Sequence, residues 1–501
     1  MKKKFSLCAI MMLLLVILLC GCGQDPIHTN PTVPVNTTEE TTAPENVLRV
    51  LTEDTDMLYT VERVISRFKE LRPDIVIELE VLPRTTIMEP DNGELRNLML
   101  ERLRTEILAG KGPDVYLMHP YAKVRTDDDL FPDVQLAIRN GMFKDISALY
   151  DADSDLETEK LHPDIMNAGI YDGGRYVLPL AFDFPIAYVD VAQFEARGGN
   201  MDIFNGTIAD INKFALQSGN PQLCTDVTVD TSPCGLTTNF FPQIVDYDTG
   251  EVLLTTEDMV PLLEDFQTVR AAQVIEELDR GALTNDMLGL EWFVQEDETW
   301  NDYRSMFINN TSQFMSVAAQ RKIWQQEIAM LPVRAIDGDM VADVTYYGAV
   351  DWGCDRPELA YEFLRLFLTD EAQYNMRNNL RPLSYGVPVR VGGDMTPTWE
   401  VVRYRLLHVN QEAYAEWDTP KRELYMDRYN QLKVHMLTEE DYDILHTPFD
   451  RVQFSTTLDI DFCQNVYEPL AWGNSAPAGD IDITAAVESW LKDLQWFLAE
   501  G

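Results

Sequence analysis

Apolar positions recur along most of the chain with one of two periods, and their order predicts the architecture. Val47 to Leu51 is a short apolar run that reads as a strand. Val61, Val64, Ile65 and Phe68 then fall on one face of a helix that Pro73 ends, and Ile75 to Val81 alternates as a second strand. Strand, helix and strand with such short joints make a βαβ unit, which predicts a parallel sheet covered by helices. Leu95 to Leu108 continues as an amphipathic helix, stopped at Ala109-Gly110-Lys111-Gly112, and Pro113 to Met118 is the third strand. The stretch from Arg175 to Asp190, RYVLPLAFDFPIAYVD, is broken by Pro179 and Pro185. It is too long for one strand of one sheet and suits a crossover between two. Residues 200–310 are mostly helical in period, while Phe314 to Ala318 and Ile328 to Val333 read as strands. After Asp337-Gly338 the segment VADVTYYGAVDWG is again extended, and Pro357 to Thr369 is a helix with proline at its start. Residues 395–440 are helical, and Ile483 to Ala499 forms a terminal helix with Asp482 as its N-cap.

The first residues follow a different pattern. Lys2, Lys3 and Lys4 precede an apolar run from Phe5 to Leu19, which reads as an export signal and is marginal for a full membrane span. Leu19-Cys20-Gly21-Cys22 resembles the lipobox of bacterial lipoproteins. That resemblance implies removal of residues 1–21 and a lipid on Cys22, where several acyl chains at about 0.8 kcal/mol per buried CH₂ make a durable anchor. The alternative is an uncleaved transmembrane helix. Residues 22–46, rich in Thr, Pro and Asn, read as a solvated tether with a reach on the order of 25 Å.

Composition narrows the chemistry. The 501 residues suggest about three domains, or two large ones. Asp and Glu number 83 against 40 Lys and Arg, for a net charge of −43. A field of that sign repels phosphate backbones, so nucleic acid is not expected as a partner. The six His show no H-x-x-x-H or HExxH spacing and the Cys no CxxC, so zinc has no support, and no G-x-S-x-G or Walker loop occurs. Asp151 to His162 mimics the acidic start of a Ca²⁺ loop but has Leu156 at the glycine position and His162 at the final acid position, so it reads as a solvated acidic loop. Cys224 and Cys234 stand close together between turn signals, and either a local disulfide or free thiols would suit them.

Four segments carry a family resemblance: EILAGKGPDVYLM (Glu106 to Met118), GGRYVLPLAFDFPIAYVDVAQFEARG (Gly173 to Gly198), RPELAYEFLRLFLTDEAQ (Arg356 to Gln373) and GVPVR (Gly386 to Arg390). In this order, behind a lipobox, the chain resembles the extracellular solute-binding proteins of bacterial ABC importers, in the branch of maltose- and oligosaccharide-binding proteins. Asp190 stands where that branch usually has Asn. The resemblance implies an α/β fold of the two-lobed periplasmic-binding-protein-like type II, with hinge crossovers and a ligand cleft. One lobe would comprise residues 47–184 and 346–384, the other 185–345 and 385–501. It further implies a monomer anchored by lipid on the outer face of the cell membrane. Such a protein captures a sugar, delivers it to ABC permease subunits, and has no enzymatic activity, metal or cofactor.

Within that frame, aromatic faces that stack on sugar rings and acids that accept hydroxyl protons are the expected ligand groups. Asp183, Phe184 and Tyr188 lie at the first crossing, Tyr346 and Tyr347 at the second, and Tyr385 beside the third. Glu53 and Asp54 follow the first strand, where helix capping would explain them equally well. His119 and Tyr121 follow the third strand, at the edge where open α/β sheets bind ligands. Trp352 is a weaker stacking candidate that suits a lobe surface. Two other readings stay open: a surface-anchored glycoside hydrolase using two carboxylates, and a receptor of the same fold for a peptide or polyamine.

Overall fold

The computed structural model describes residues 46–55, 57–83, 91–120, 129–220, 238–272, 305–311, 327–377, 386–390, 438–467 and 481–500, with single residues between 314 and 325, between 419 and 427, and at 470. Cys22, Tyr121, Cys224, Cys234 and Tyr385 lie outside the described residues.

Strand β1 (Val47–Glu53) pairs in parallel with β2 (Val76–Leu82) along its whole length. Helix α1 (Leu58–Leu71) makes the crossover and buries Thr60, Val61, Val64, Ile65 and Phe68, the positions the period marks. It stops where the Arg72 N–H returns to the Phe68 carbonyl, one residue before Pro73. Helix α2 (Asp91–Leu108) leads into β3 (Val115–Met118), parallel to β1 on its other side. The short helix α3 (Val134–Arg139) follows, with Asp133 accepting from the Leu136 N–H as its cap.

The extended run then divides as its length requires. Strand β4 (Val177–Asp183) is buried throughout in the first sheet, and β5 (Ile186–Asp190) is the central strand of a second. Helices α4 (Ile208–Ser218) and α5 (Thr256–Ala272) follow. Strands β6 (Met306–Asn309) and β7 (Ile328–Pro332) flank β5, both antiparallel to it. Strand β8 (Val341–Val350), buried over all ten residues, returns to the first sheet between β4 and β3 and antiparallel to both. Helices α6 (Pro357–Leu364) and α7 (Asp370–Arg377) lead to β9 (Val387–Pro388), paired with β4. After α8 (Glu439–Leu445), β10 (Arg451–Phe454) joins β8 in parallel. Helix α9 (Thr457–Phe462) and the terminal helix α10 (Ile483–Glu500) complete the chain, the latter capped by Asp482, whose Oδ1 accepts from the Ala485 N–H at 3.0 Å. Among the described residues strand β9 pairs β4 at Phe182 and Ala181 and no strand continues beside Pro179, where the missing N–H is tolerated.

Two hydrophobic cores result. The first gathers Leu48, Phe68, Leu117, Phe182, Val344 and Phe363; the second gathers Phe194, Phe240, Leu263, Phe462 and Trp490. Strand β5 serves both by simple alternation, with Ile186 and Tyr188 turned to the first and Ala187 and Val189 to the second.

Three expectations need correction. Phe314, Val317 and Ala318 are helical, because β6 at 306–309 already occupies the place beside β5. The second crossing lies before β8 rather than at Tyr346 and Tyr347, since β8 belongs wholly to the first sheet. Residues 385–501 do not all belong to the second lobe. Strand β3 covers only residues 347–350 of β8, and β10 fills the remaining edge at 341–344; β9 likewise pairs in the first sheet.

Gly386 opens β9 at φ +96°, and a Cβ there would lie 2.2 Å from the Phe182 carbonyl oxygen. At Gly141, also at positive φ, an added Cβ meets nothing within 4 Å. Gly386→Ala is therefore expected to lose about 2–3 kcal/mol in denaturant unfolding and Gly141→Ala about 1 kcal/mol.

Candidate functional site: the seam between two cores

Strands β1, β3 and β4 all finish at one edge of the first sheet, the edge where open α/β folds place ligands. Glu53 ends β1, buried rather than capping. Its Oε1 accepts from Arg96 Nη2 at 2.8 Å and its Oε2 from the His119 N–H at 3.2 Å. Arg96 is itself fully buried and also reaches Asp129 Oδ1 at 3.3 Å and the Pro83 carbonyl at 3.2 Å. The His119 ring follows β3, with Nδ1 2.6 Å from the Thr345 carbonyl and its centroid 4.9 Å from that of Tyr346. The Tyr346 hydroxyl lies 3.2 Å from Thr52 Oγ1 and donates to the Leu117 carbonyl at 3.3 Å. Burial pushes its ionisation upward. Glu53, His119 and Tyr346 are thus brought together, as part of a polar cluster whose bonds go to protein.

The other expected residues are placed separately. Tyr347 packs between Phe143 and Phe454. Asp183 ends β4, and its Oδ1 accepts from the Phe184 N–H at 2.8 Å, the Thr311 N–H at 2.8 Å and Thr311 Oγ1 at 2.7 Å. Thr311 follows β6, so this carboxylate ties the two sheets at the crossing. The Tyr188 hydroxyl donates to the Asn310 carbonyl at 2.8 Å, and Phe184 stacks among Phe182 and Phe449. Asp54 is exposed. Trp352 is held at the surface by its indole N–H, 3.1 Å from the Ile107 carbonyl. The acidic loop at 151–162 is less solvated than expected: Asp153 is held by Arg365 at 2.7 Å and Tyr361 at 3.1 Å, and His162 is buried against Phe182 and Phe449.

A cavity lies where the two cores meet. It holds about 340 Å³ and takes its walls from both cores: Gln135 of α3, Arg451 and Gln453 of β10, Tyr247, Asp459 of α9 and Trp490 of α10. Sequence reasoning missed these residues. The segment around Tyr247 has little periodic pattern, and β10 is four residues long. Amides, a tyrosine hydroxyl, acids and a tryptophan provide donors and acceptors together with apolar surface, the mixture that small-molecule sites use. Two buried acids, Asp459 in the wall and Asp133 beside Tyr247, are shifted upward. Burial raises Asp459 to about 6 and raises Asp133 against the opposing bond from the Leu136 N–H. The Tyr247 hydroxyl donates to Asp133 Oδ2 at 2.7 Å.

No protein-family model and no curated protein matches the chain. Solved structures do. The sugar-binding protein MalE from Xanthomonas citri aligns at a TM-score of 0.54 and 10% identity, over 91% of this chain and 98% of that one. A sugar transporter from Rhizobium etli in an open conformation aligns at 0.51 and 14%, over 90% and 99%. The cyclic alpha-maltosyl-1,6-maltose binding protein from Arthrobacter globiformis aligns at 0.50 and 12%, over 91% and 99%. The fold is therefore the α/β fold of these sugar-binding proteins, here built on two cores.

The buried guanidinium at the β1 edge generates a test. Arg96→Met takes the guanidinium away from buried Glu53 and Asp129 and is expected to lose about 3–5 kcal/mol of stability. Adding Glu53→Gln to that variant removes one of the stranded charges and recovers part of the loss, which chemical denaturation of both variants measures.

Proposed function

We propose that the chain is a lipid-anchored extracellular solute receptor that captures a sugar, an oligosaccharide, in the seam between its two cores and delivers it to an ABC permease. The observation that carries this reading is the polar cavity whose walls come from both cores of a pair joined by crossing strands. A ligand bound there touches both lobes, so its affinity is coupled to their closure. Gln135, Gln453 and Asp459 contact the solute in this reading, while Glu53, His119, Asp183, Tyr188, Tyr346 and Tyr347 hold the frame around it. The named neighbours of the same fold, described as sugar-binding or sugar-transport proteins, support the sugar class. The protein works without chemistry on the sugar: binding and hand-over need hydrogen bonds and closure only.

A thermal-shift screen over mono- and oligosaccharides, with product analysis on each hit, tests this. A stoichiometric shift with no product is expected; turnover would establish a hydrolase, and a shift only with polyamines or peptides would change the ligand class. Gln135→Ala should weaken the affinity for a sugar hit about 5- to 150-fold, the consequence of leaving a buried hydroxyl unpaired at about 1–3 kcal/mol. The melting temperature of the unliganded variant should stay near the wild-type value. In cells, Cys22→Ala should shift the protein from the membrane fraction to the soluble one, read by fractionation and intact mass.

A further inference from the structure

Among the described residues, several carboxyl groups are buried around the seam with few cations beside them. Asp343 of β8 is 3% exposed, and its Oδ2 accepts from Asn239 Nδ2 at 2.7 Å. Its Oδ1 is buried with no hydrogen-bond partner among the described residues. Asp183 stands opposite it on β4. Asp459 is 9% exposed, and its Oδ2 accepts from the Thr456 N–H at 2.6 Å. Asp133 is capped against α3 and Tyr247. Arg451 lies among them but is already engaged. It donates to the Phe241 carbonyl at 2.5 Å and sits 3.6 Å from both Asp337 and Asp339. These groups come from both cores: β4, β8 and α3 on one side, residues 238–247 and α9 on the other. Among the described residues Arg451 is the cation that acts on Asp343, and bringing the cores together takes water from the carboxyls.

We propose that closure of the two cores over the cavity is proton-linked: Asp343 and Asp459 take up protons as the seam closes and release them as it opens, so the solute-holding form is favoured in acid and loosened toward neutral pH. This regulation rests on the reading of the cavity as the solute site.

The direction follows from linkage. Desolvation is the largest cause of the upward shift in both acids, to about 6 at Asp459 and well above the ordinary range at Asp343. Around Asp459 stand Asp133, Tyr247, Thr238 and Thr456; around Asp343 stand Asn239, Gln453, Asp183, Asp459 and Arg451. An acid with a higher pKa in the closed form favours closure fully below its open-form value. The advantage is lost as pH rises through the closed-form value. For Asp459 that window runs from the ordinary carboxyl range to about 6, and Asp343 extends it upward.

Small-angle scattering and hydrogen exchange on the unliganded full chain at about pH 5 and about pH 8 test the proposal. The wild type should have a larger radius of gyration at the higher pH. Its exchange protection over residues 238–246 and 451–454, corrected for intrinsic rates, should fall up to about tenfold per pH unit for each linked proton. Asp343→Asn and Asp459→Asn, neutral at both pH values, should keep the compact form at the higher one. The wild-type exchange profile carries the test even where a variant fails to fold. Unchanged scattering and corrected protection across the range overturn it. Because no ligand is present, pH-dependent opening together with a blank sugar screen supports the linkage and rejects the sugar reading; sugar binding with pH-independent opening does the reverse.

Discussion

Asp183 and Asp343 stand opposite each other where β4 leaves the first sheet, and both must be accommodated away from water. They are accommodated differently. Asp183 is encircled by donors, two of them from Thr311 at the end of a second-sheet strand, so satisfying this carboxylate requires the second sheet to be in place. Asp343 leans on an amide relay, with Asn239 donating to it and Gln453 donating to Asn239 at 2.6 Å. The relay again joins the lobes, since Asn239 belongs to the second-core segment and Gln453 to β10. Polar satisfaction at one crossing thus sets the orientation of both cores.

The rest of the frame stiffens that crossing. Phe182, Phe184, His162 and Phe449 pack edge-to-face and stacked around it at centroid separations of 5.1 to 6.1 Å. At the next strand ends Arg96 fills the sheet edge that a ligand would otherwise reach and neutralises Glu53 there. A cavity lies instead at the junction of α3, β10 and α10, where amide side chains rather than the crossing aromatics meet the space.

Much of the architecture was legible in the chain. The βαβ start, the divided strand at Arg175 to Asp190, the proline-initiated helix at Pro357 and the Asp482 cap are all local signals, set by residues that touch near neighbours. The site was less legible. Asp183, Glu53 and Tyr346 were recognisable as positions at strand ends and crossings, but whether such a side chain faces a solute or a protein donor depends on Thr311, Arg96 and Leu117, which lie far away in sequence. Gln135, Tyr247 and Gln453 carried no signal because polar residues in short elements look like any solvated surface. Strand β10 escaped for a related reason. Four residues, three half-buried and one buried, do not show a period, and the gap left by a four-residue β3 gives them a place.

That gap has a consequence for how the protein is made. Strand β10 borders β8 in the first sheet, yet it is encoded near the far end of the chain, after the long excursion through the second core and just before α9 and α10 return to it. A polypeptide appearing N-terminus first can assemble β1 to β3 early, but β8 keeps half of one edge bare until residues 451–454 arrive. Sheet pairings of such long sequence separation form slowly, and unpaired edges are aggregation-prone while they wait. The first lobe is therefore finished almost last, and a truncated product that lacks the final tenth of the chain would have not a missing appendage but an open sheet at its centre.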